Sequence, residues 1–102
     1  MPGLPIDLDQ LHQQTGGDDA LEREVLKLFL AHAPADLNQL TRVDGYERRV
    51  LAHRLVGSAL GIGALEVARL AASVEAGADA DILALSAAVA EAVRFIENHL
   101  AG

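Results

Sequence analysis

The chain of 102 residues is long enough for one domain with a single hydrophobic core. Hydrophobic residues make up 51% of it but aromatic residues only 3%, so the core must consist of Leu, Val, Ile and Ala, which favours helices. The net charge of −7 argues against nucleic-acid binding, and the absence of cysteine excludes disulfides, thiol catalysis and thiolate metal sites. With no signal-peptide pattern and no apolar run of membrane-spanning length, we expect a soluble, cytoplasmic domain that binds no membrane.

A short helix is predicted at the start of the chain. Leucines recur at helical spacing in this segment, at Leu4, Leu8 and Leu11. The helix is predicted to end at the two glycines of "TGGDD". Asp19 and Glu22 then have the spacing of a capping box, which predicts the start of a long helix. One face of this helix is predicted to carry Leu21, Val25, Leu28, Phe29 and His32.

Pro34 falls within the pattern of the long helix. Because proline lacks a backbone N–H and crowds the preceding turn, we expect either a kink or an early end at this position. The segment "ADLNQL" then continues or restarts the helix.

A second long helix is predicted after Asp44 and Glu47, which repeat the cap signature, and it closes at "GIG". Its buried stripe is predicted to consist of Val50, Leu51, Leu55, Ser58 and Ala59. A third helix is predicted over residues 65–76, with Gly77 ending it.

The last helix is predicted to begin at a cap formed by Asp79 or Asp81 and to continue to the C-terminus. Its apolar stripe is predicted to consist of Ile82, Leu85, Val89, Ala92, Val93, Ile96 and Leu100. No strand pattern competes with these helices. We therefore expect one all-α domain over residues 1–102, an antiparallel up-and-down four-helix bundle with a short extra N-terminal helix packed on one end.

His53 stands out on the second long helix because it lies on the side opposite the predicted core. At about 100° per residue, Leu55 and Ala59 fall on the core face and His53 on the outward face. Val56, Gly57 and Leu60 share that outward side, where Glu, Lys and Gln would be usual. The pattern predicts a docking surface around His53. Gly57 costs about 1 kcal/mol of helix stability relative to Ala, and it either lets another molecule approach the imidazole or allows tight internal helix packing.

The charge around His53 differs from that of the whole chain. No acidic residue occurs between Arg48 and Leu65, although the chain has 15 acids. Four of the eight basic residues lie in or just before this window: Arg42, Arg48, Arg49 and Arg54. Such a positive patch would suit a phosphoryl group or an acidic partner, although an acid-free run of this length also arises by chance.

An exposed imidazole is largely a free-base nucleophile at neutral pH and can accept a phosphoryl group. Returning the group requires a metal and cations at the transition state, and no carboxylate cluster beside His53 could hold Mg²⁺, so the partner would supply the metal and most of the catalysis. His32 is expected in the packed stripe and His99 near the helix dipole, while His12 has no partner at metal spacing. We predict no metal site and no cofactor.

The segment "AHRLVGSALGIGA" resembles the signature of histidine phosphotransfer (HPt) domains, A-H-x-L-K-G-S/A followed by I-G-A. The resemblance covers nearly the whole chain, since "LHQQTGGDDALEREVLKLFL" and "GALEVARLAASVEAGA" are similar to flanking helices of the family. It implies a phosphocarrier, not an enzyme, in which His53 takes a phosphoryl group from a receiver-domain aspartate and passes it to another receiver. The implied partners are the receiver domains of a hybrid sensor kinase and a response regulator. The chain is expected to be a monomer, either as a separate protein or as part of a larger kinase.

The resemblance also assigns roles around His53. Receiver docking is predicted for Ala52, Val56, Gly57 and Leu60. The family's lysine three residues after the histidine is Val56 here, and valine offers the phosphoryl group no cation. Arg49 or Arg54 could substitute for it, with Gly57 also next to the phosphoryl group.

Two other functions fit the sequence. An HPt-like adaptor or inhibitor would bind a receiver or kinase without carrying phosphate, and Val56 motivates this alternative. A general interaction or dimerisation module would show a large apolar exposed face away from His53. An autonomous enzyme ranks last, because nothing in the sequence could bind ATP or assemble an acid, a base and a metal.

Overall fold

The structure, a computed structural model, describes residues 4–102, and all of its regular secondary structure is helical. Five α-helices follow one another along the chain, with a single 3₁₀ turn, Asp79–Asp81, before the last. They are α1 (Leu8–Thr15), α2 (Asp19–Leu40), α3 (Gly45–Leu60), α4 (Leu65–Glu75) and α5 (Ile82–Ala101). The prediction of an all-α chain with one short and four longer helices is confirmed.

The helix starts differ in detail from the predicted caps. Asp18, not Asp19, caps α2, and its Oδ1 accepts a hydrogen bond from the backbone N–H of Leu21 at 3.0 Å. Asp44 occupies the cap position of α3 but makes no side-chain cap bond. Asp81 precedes α5, and its carboxylate accepts from the Ser73 hydroxyl at 2.6 Å and so joins this helix start to α4. The predicted capping box at the start of α2 is therefore wrong by one residue.

The long helix α2 passes through Pro34 without ending and reaches Leu40. Its predicted apolar face is right for Phe29, which is buried, and wrong for three residues that are exposed: Leu21, Leu28 and His32. The buried side instead consists of Glu22, Leu26, Phe29, Ala33, Asp36 and Leu40. Apolar residues occur on more than one side of α2, and its packing against both α3 and α5 decides which side is buried.

The helices pack in a closed series. Contacts join α2 to α3, α3 to α4, α4 to α5 and α5 back to α2, and α1 lies against α2. The largest fully buried side chains come from every part of this series and are all aliphatic: Ile6, Leu11, Leu26, Leu40, Leu55, Leu85, Ile96, Val67 and Val74. Apart from Phe29, the hydrophobic core of residues 4–102 consists of Leu, Val, Ile and Ala, as predicted from the scarcity of aromatic residues.

The segment before α1 is fixed to the turn that follows α3. The backbone N–H of Asp7 donates to the carbonyl oxygen of Gly63 at 2.8 Å, and Ile6 beside it is completely buried. Gly63 has a φ of 76°, and a Cβ atom there would lie 2.6 Å from the Asp7 carbonyl oxygen. Only glycine fits this position without strain. The turn after the His53 helix thus also anchors the N-terminal segment.

A buried carboxylate joins three helices at one end of the molecule. The Glu22 side chain is only 6% exposed, and its Oε2 lies 2.8 Å from Nδ1 of His12 on α1. Its Oε1 lies 3.8 Å from Nε2 of His99 on α5. The His12 contact lacks hydrogen-bond geometry, so it is a close charge contact and not a directed bond.

Arg48 connects the start of α3 to two other elements. Its Nε donates to the Leu40 carbonyl oxygen at the end of α2 at 3.3 Å, and its Nη1 lies 3.2 Å from the Asp79 carboxylate in the 3₁₀ turn. This guanidinium thus satisfies a helix-end carbonyl and a carboxylate together.

Within residues 4–102, no helix has the length and apolarity needed to cross a bilayer.

Candidate functional site

His53 lies in the middle of α3 with its side chain 73% exposed. The orientation of the helix is set by its opposite side, where Leu51, Leu55 and Ala59 are buried in the core. Because the core side fixes the rotation of α3, the imidazole is held outward, as the helical wheel predicted. An exposed ring of this kind is open to a visiting molecule.

Among residues 4–102, the His53 imidazole has one hydrogen-bond partner, the Glu75 carboxylate in the last turn of α4. Nδ1 of His53 lies 2.8 Å from Oε2 of Glu75 in hydrogen-bond geometry. A carboxylate can only accept a hydrogen bond, so Nδ1 is the ring nitrogen that donates. In the neutral ring the lone pair is then on Nε2, which is the nitrogen available as a nucleophile.

Gly57 lies one turn after His53 and has no internal packing role. A Cβ atom added to it would find no heavy atom within 4 Å outside its own helix backbone. The alternative that Gly57 permits tight helix packing is therefore wrong. A glycine within a helix is destabilising relative to alanine, and here nothing inside the molecule offsets that cost.

The remaining residues predicted to dock a partner differ from one another in exposure. Leu60 is 44% exposed, whereas Val56 is half-buried and packs against the core. Ala52 is completely buried, so the prediction that it contacts a partner is wrong. Its angle on the wheel, about 100° from Leu51, places it beside Ala59 on the core side of α3.

Two exposed residues before His53 extend the same surface. Tyr46 is 74% exposed and lies two turns before His53, and Val50 is partly exposed one turn before it. Together with Gly57 and Leu60 they form an outward strip along α3, which we call the α3 strip. The prediction that Val50 belongs to the buried stripe of this helix is wrong, since its side chain is exposed. The spacing of seven residues between Tyr46 and His53 was a usable signal that Tyr46 lies on the outward side.

A groove between α2 and α3 lies beside the α3 strip. It has a volume of about 480 Å³ and includes the exposed parts of Leu28 and His32 on one wall and Gly57 and Gly61 on the other. Arg54 and Asp36 close its polar end with an ion pair of 3.1 Å. The exposed apolar surface of α2 thus continues onto the glycine side of α3.

The four arginines of the predicted positive patch have different partners. Arg48 and Arg54 are paired with Asp79 and Asp36, which neutralises half of the patch. Arg42 and Arg49 are exposed and have no carboxylate within 4.0 Å among residues 4–102. Arg49 lies one turn before His53 on the same side of α3.

The placement of Arg54 beside a phosphoryl group is not supported by its contacts. Its guanidinium reaches toward α2, where the Asp36 side chain is only 9% exposed, and adjacent helix residues do not face one another. Of these two candidates, Arg49 is the one that helical spacing places on the His53 side of α3 and that has no carboxylate within 4.0 Å among residues 4–102.

The other histidines do not join the site around His53. His32 lies across the groove on α2, and His12 and His99 belong to the Glu22 cluster. Ser58, which was predicted in the buried stripe of α3, is half-buried. In the described part of the chain, no three histidine, aspartate or glutamate side chains are grouped to hold a metal ion.

Comparisons of the chain with models of protein families, with curated proteins and with solved structures found no match.

Proposed function

We propose that the chain is a histidine phosphotransfer domain of a two-component phosphorelay. In this proposal Nε2 of His53 accepts a phosphoryl group from the aspartyl phosphate of one receiver domain and passes it to the aspartate of another. The chain acts as a phosphocarrier and not as an enzyme, and it works as a cytoplasmic monomer. The closed series α2 to α5 is taken to be the antiparallel up-and-down four-helix bundle of that family.

The hydrogen bond between His53 and Glu75 carries the proposal. It holds the proton on Nδ1 and leaves an outward Nε2 lone pair on a 73%-exposed ring. A nucleophile for in-line attack needs such a lone pair together with open space in front of it. A histidine kept only for packing would need neither.

Gly57 gives the incoming partner room to approach. An aspartyl phosphate must bring its phosphorus close to Nε2, and a side chain one turn along α3 would stand in the way. The helix cost of Gly57 has no internal compensation, so we ascribe it to this approach. The α3 strip and the adjoining groove supply the apolar contact area around it.

The charges needed for transfer are divided between the two proteins. Arg49 lies on the His53 side of α3, has no carboxylate within 4.0 Å in the described residues, and is proposed to contact the phosphoryl oxygens. The partner receiver is proposed to bring Mg²⁺ and the remaining positive charge, because phosphoryl transfer is accelerated mainly by positioning and charge neutralisation.

A second candidate function, an adaptor or inhibitor that binds a receiver without carrying phosphate, is favoured by one observation. Val56 occupies the position of the family's lysine and packs against the core, so it contributes structure and no charge. We rank this candidate lower, because an adaptor requires neither the oriented imidazole nor the open backbone at Gly57.

A general dimerisation module ranks lower still. Five of the eight exposed large hydrophobic side chains lie on α2 and α3: Leu21, Leu28, Tyr46, Val50 and Leu60. The other three are divided between the N-terminal segment, α4 and α5. The exposed apolar surface is therefore concentrated on the two helices that border His53.

The test is phosphoryl transfer from a panel of Mg²⁺-loaded receiver domains carrying labelled phosphate. We expect at least one receiver to transfer label to the chain, giving an acid-labile, base-stable phosphohistidine. His53→Gln should abolish the label, whereas His32→Gln should leave the final stoichiometry unchanged. Receiver binding that persists in His53→Ala, with no label on the wild type from any receiver, would favour the adaptor.

A further inference from the structure

Glu75 is positioned to control the Nδ1 proton of His53 after phosphorylation as well as before it. The carboxylate projects from the last turn of α4 and its side chain is 37% exposed. The 2.8 Å separation joins Oε2 to the ring nitrogen that does not react. Nothing in phosphoryl transfer to Nε2 requires this bond to break.

The bond changes of the transfer show what the carboxylate would do. On phosphorylation the Nε2 lone pair forms the N–P bond, and the P–O bond of the donor aspartyl phosphate breaks with its electron pair remaining on the donor carboxylate. If Nδ1 keeps its proton, the ring becomes an N-phosphoryl imidazolium whose positive charge lies beside the Glu75 carboxylate. On transfer outward the N–P electrons return to Nε2 and a neutral imidazole leaves.

Loss of the Nδ1 proton would change the leaving group. The ring would then have to depart as imidazolate, which is a far stronger base than imidazole and a far poorer leaving group. Imidazoles lose a proton near neutral pH. A phosphorylated ring with no hydrogen-bond acceptor to retain the Nδ1 proton therefore becomes a weak phosphoryl donor under ordinary conditions. A carboxylate at hydrogen-bond distance favours the protonated ring.

We propose that Glu75 is a positioning residue that keeps the Nδ1 proton on phosphorylated His53 and so keeps the phosphoryl group transferable above neutral pH. This inference rests on the proposed phosphocarrier function and concerns how that same site is regulated. In this view the carboxylate makes His53 a relay that readily releases its phosphoryl group, and not a long-lived store.

The other charged groups near His53 do not take this role. On α3, Arg49 is a cation, and a cation favours loss of a ring proton. Arg54 on α3 and Asp36 on α2 are held by each other at 3.1 Å. His32, on the α2 wall of the groove, is not within 4.0 Å of a carboxylate in the described residues. Glu75 is the carboxylate bonded to the His53 ring.

The experiment compares the wild type with Glu75→Gln, which keeps an acceptor oxygen but removes the charge, and Glu75→Ala, which removes both. Glu97→Gln, on the exposed side of α5, is the matched control for loss of one negative charge. Each protein is phosphorylated with phosphoramidate, a small-molecule phosphoryl donor. Release of phosphate from phosphohistidine is then followed by ³¹P NMR across a pH series, with two-dimensional ¹H–³¹P spectra to identify the nitrogen that carries phosphorus.

We expect Nε2-linked phosphohistidine in the wild type. At about pH 8.5, above the ordinary imidazole range, Glu75→Ala should release phosphate about two- to fivefold more slowly than the wild type, which is the effect of losing one exposed ion pair. At about pH 5.5, where the ring is protonated without help, the proteins should agree. Glu75→Gln should fall between them at the higher pH, and Glu97→Gln should match the wild type throughout.

The outcomes separate this inference from the function on which it rests. If every variant is phosphorylated and all release phosphate at the same rate, the role of Glu75 is overturned and the phosphocarrier function stands. The same holds if the Glu75 variants slow release by the same factor at both pH values. Failure of the wild type to accept phosphate from either phosphoramidate or receivers would overturn the carrier function and this inference with it. A loss of folding in Glu75→Ala would be seen by circular dichroism, and Glu75→Gln then carries the test.

Discussion

His53 Nδ1 and Glu75 Oε2 lie 2.8 Å apart although 22 residues separate them in the sequence. The contact exists because α3 and α4 pack against each other along their lengths, which brings the last turn of α4 beside the middle of α3. It gives the two ring nitrogens different roles, one bonded and one free. Substitutions of Glu75 therefore test the Nδ1 side of the ring without removing the imidazole.

Gly57→Ala should stabilise the fold and impair transfer. A Cβ atom at this position meets nothing inside the molecule, so the free energy of unfolding should rise by about 0.5–1 kcal/mol and the Tm by a few degrees. The receiver-to-His53 transfer rate should fall. Ala87→Gly, at an exposed site of α5, is the reverse control and should lose similar stability with no change in transfer. Unchanged transfer in Gly57→Ala would remove the argument for close approach.

Gly63→Ala should destabilise the fold by about 1–3 kcal/mol, because it combines a positive φ with a clash against the Asp7 carbonyl oxygen. Gly16→Ala is the matched control, since Gly16 also has a positive φ but open space around its Cβ position. It should cost about 1 kcal/mol from backbone strain alone. Urea denaturation measures both, and equal losses would contradict the packing between the N-terminal segment and this turn.

Arg49→Ala and Arg54→Ala should have opposite consequences. Arg54 pairs with Asp36, whose carboxylate is nearly buried, so its removal should lower stability by about 1 kcal/mol, and Asp36→Asn in the same protein should recover part of that loss. Arg49→Ala should change stability by less than about 0.5 kcal/mol but shorten the lifetime or slow the formation of phosphohistidine. If phosphohistidine forms at the normal rate and has the normal lifetime in Arg49→Ala, the partner would have to supply all the cations.

The coupling energy with Glu22 should be larger for His12 than for His99. Both imidazoles face the buried Glu22 carboxylate, but at 2.8 Å and 3.8 Å respectively. Because both rings are partly exposed, we expect a coupling of about 0.5–1 kcal/mol for His12 and less for His99. His99 also stacks on Phe95, so a double-mutant cycle of each histidine with Glu22→Gln at neutral pH is needed to isolate its contact with the carboxylate. A larger coupling energy for His99 would contradict the assigned distances.

The sequence was sufficient for features that depend on one helix at a time. The period of α3 placed His53 on the outward side because Leu55 and Ala59 define the core side within the same helix. The limits of α4 were predicted within one residue, since Gly77 and the preceding turn signals are local. The aliphatic core followed from composition alone.

Features that depend on packing between helices could not be read in the same way. Glu75 is an ordinary acidic residue at a helix end until α3 and α4 are placed together. The buried side of α2 depended on two neighbouring helices, so Leu28 was misassigned. The guanidinium of Arg54 forms an ion pair with Asp36 on α2, a contact that the sequence of α3 alone does not show.

The contacts of Arg48 have a consequence for how the molecule opens. One guanidinium holds the carbonyl end of α2, the beginning of α3 and the 3₁₀ turn before α5. These three places are therefore expected to lose amide protection together in native-state hydrogen exchange, as one cooperative unit. If so, the start of α3 resists fraying, and the imidazole of His53 keeps a fixed orientation relative to the rest of the protein.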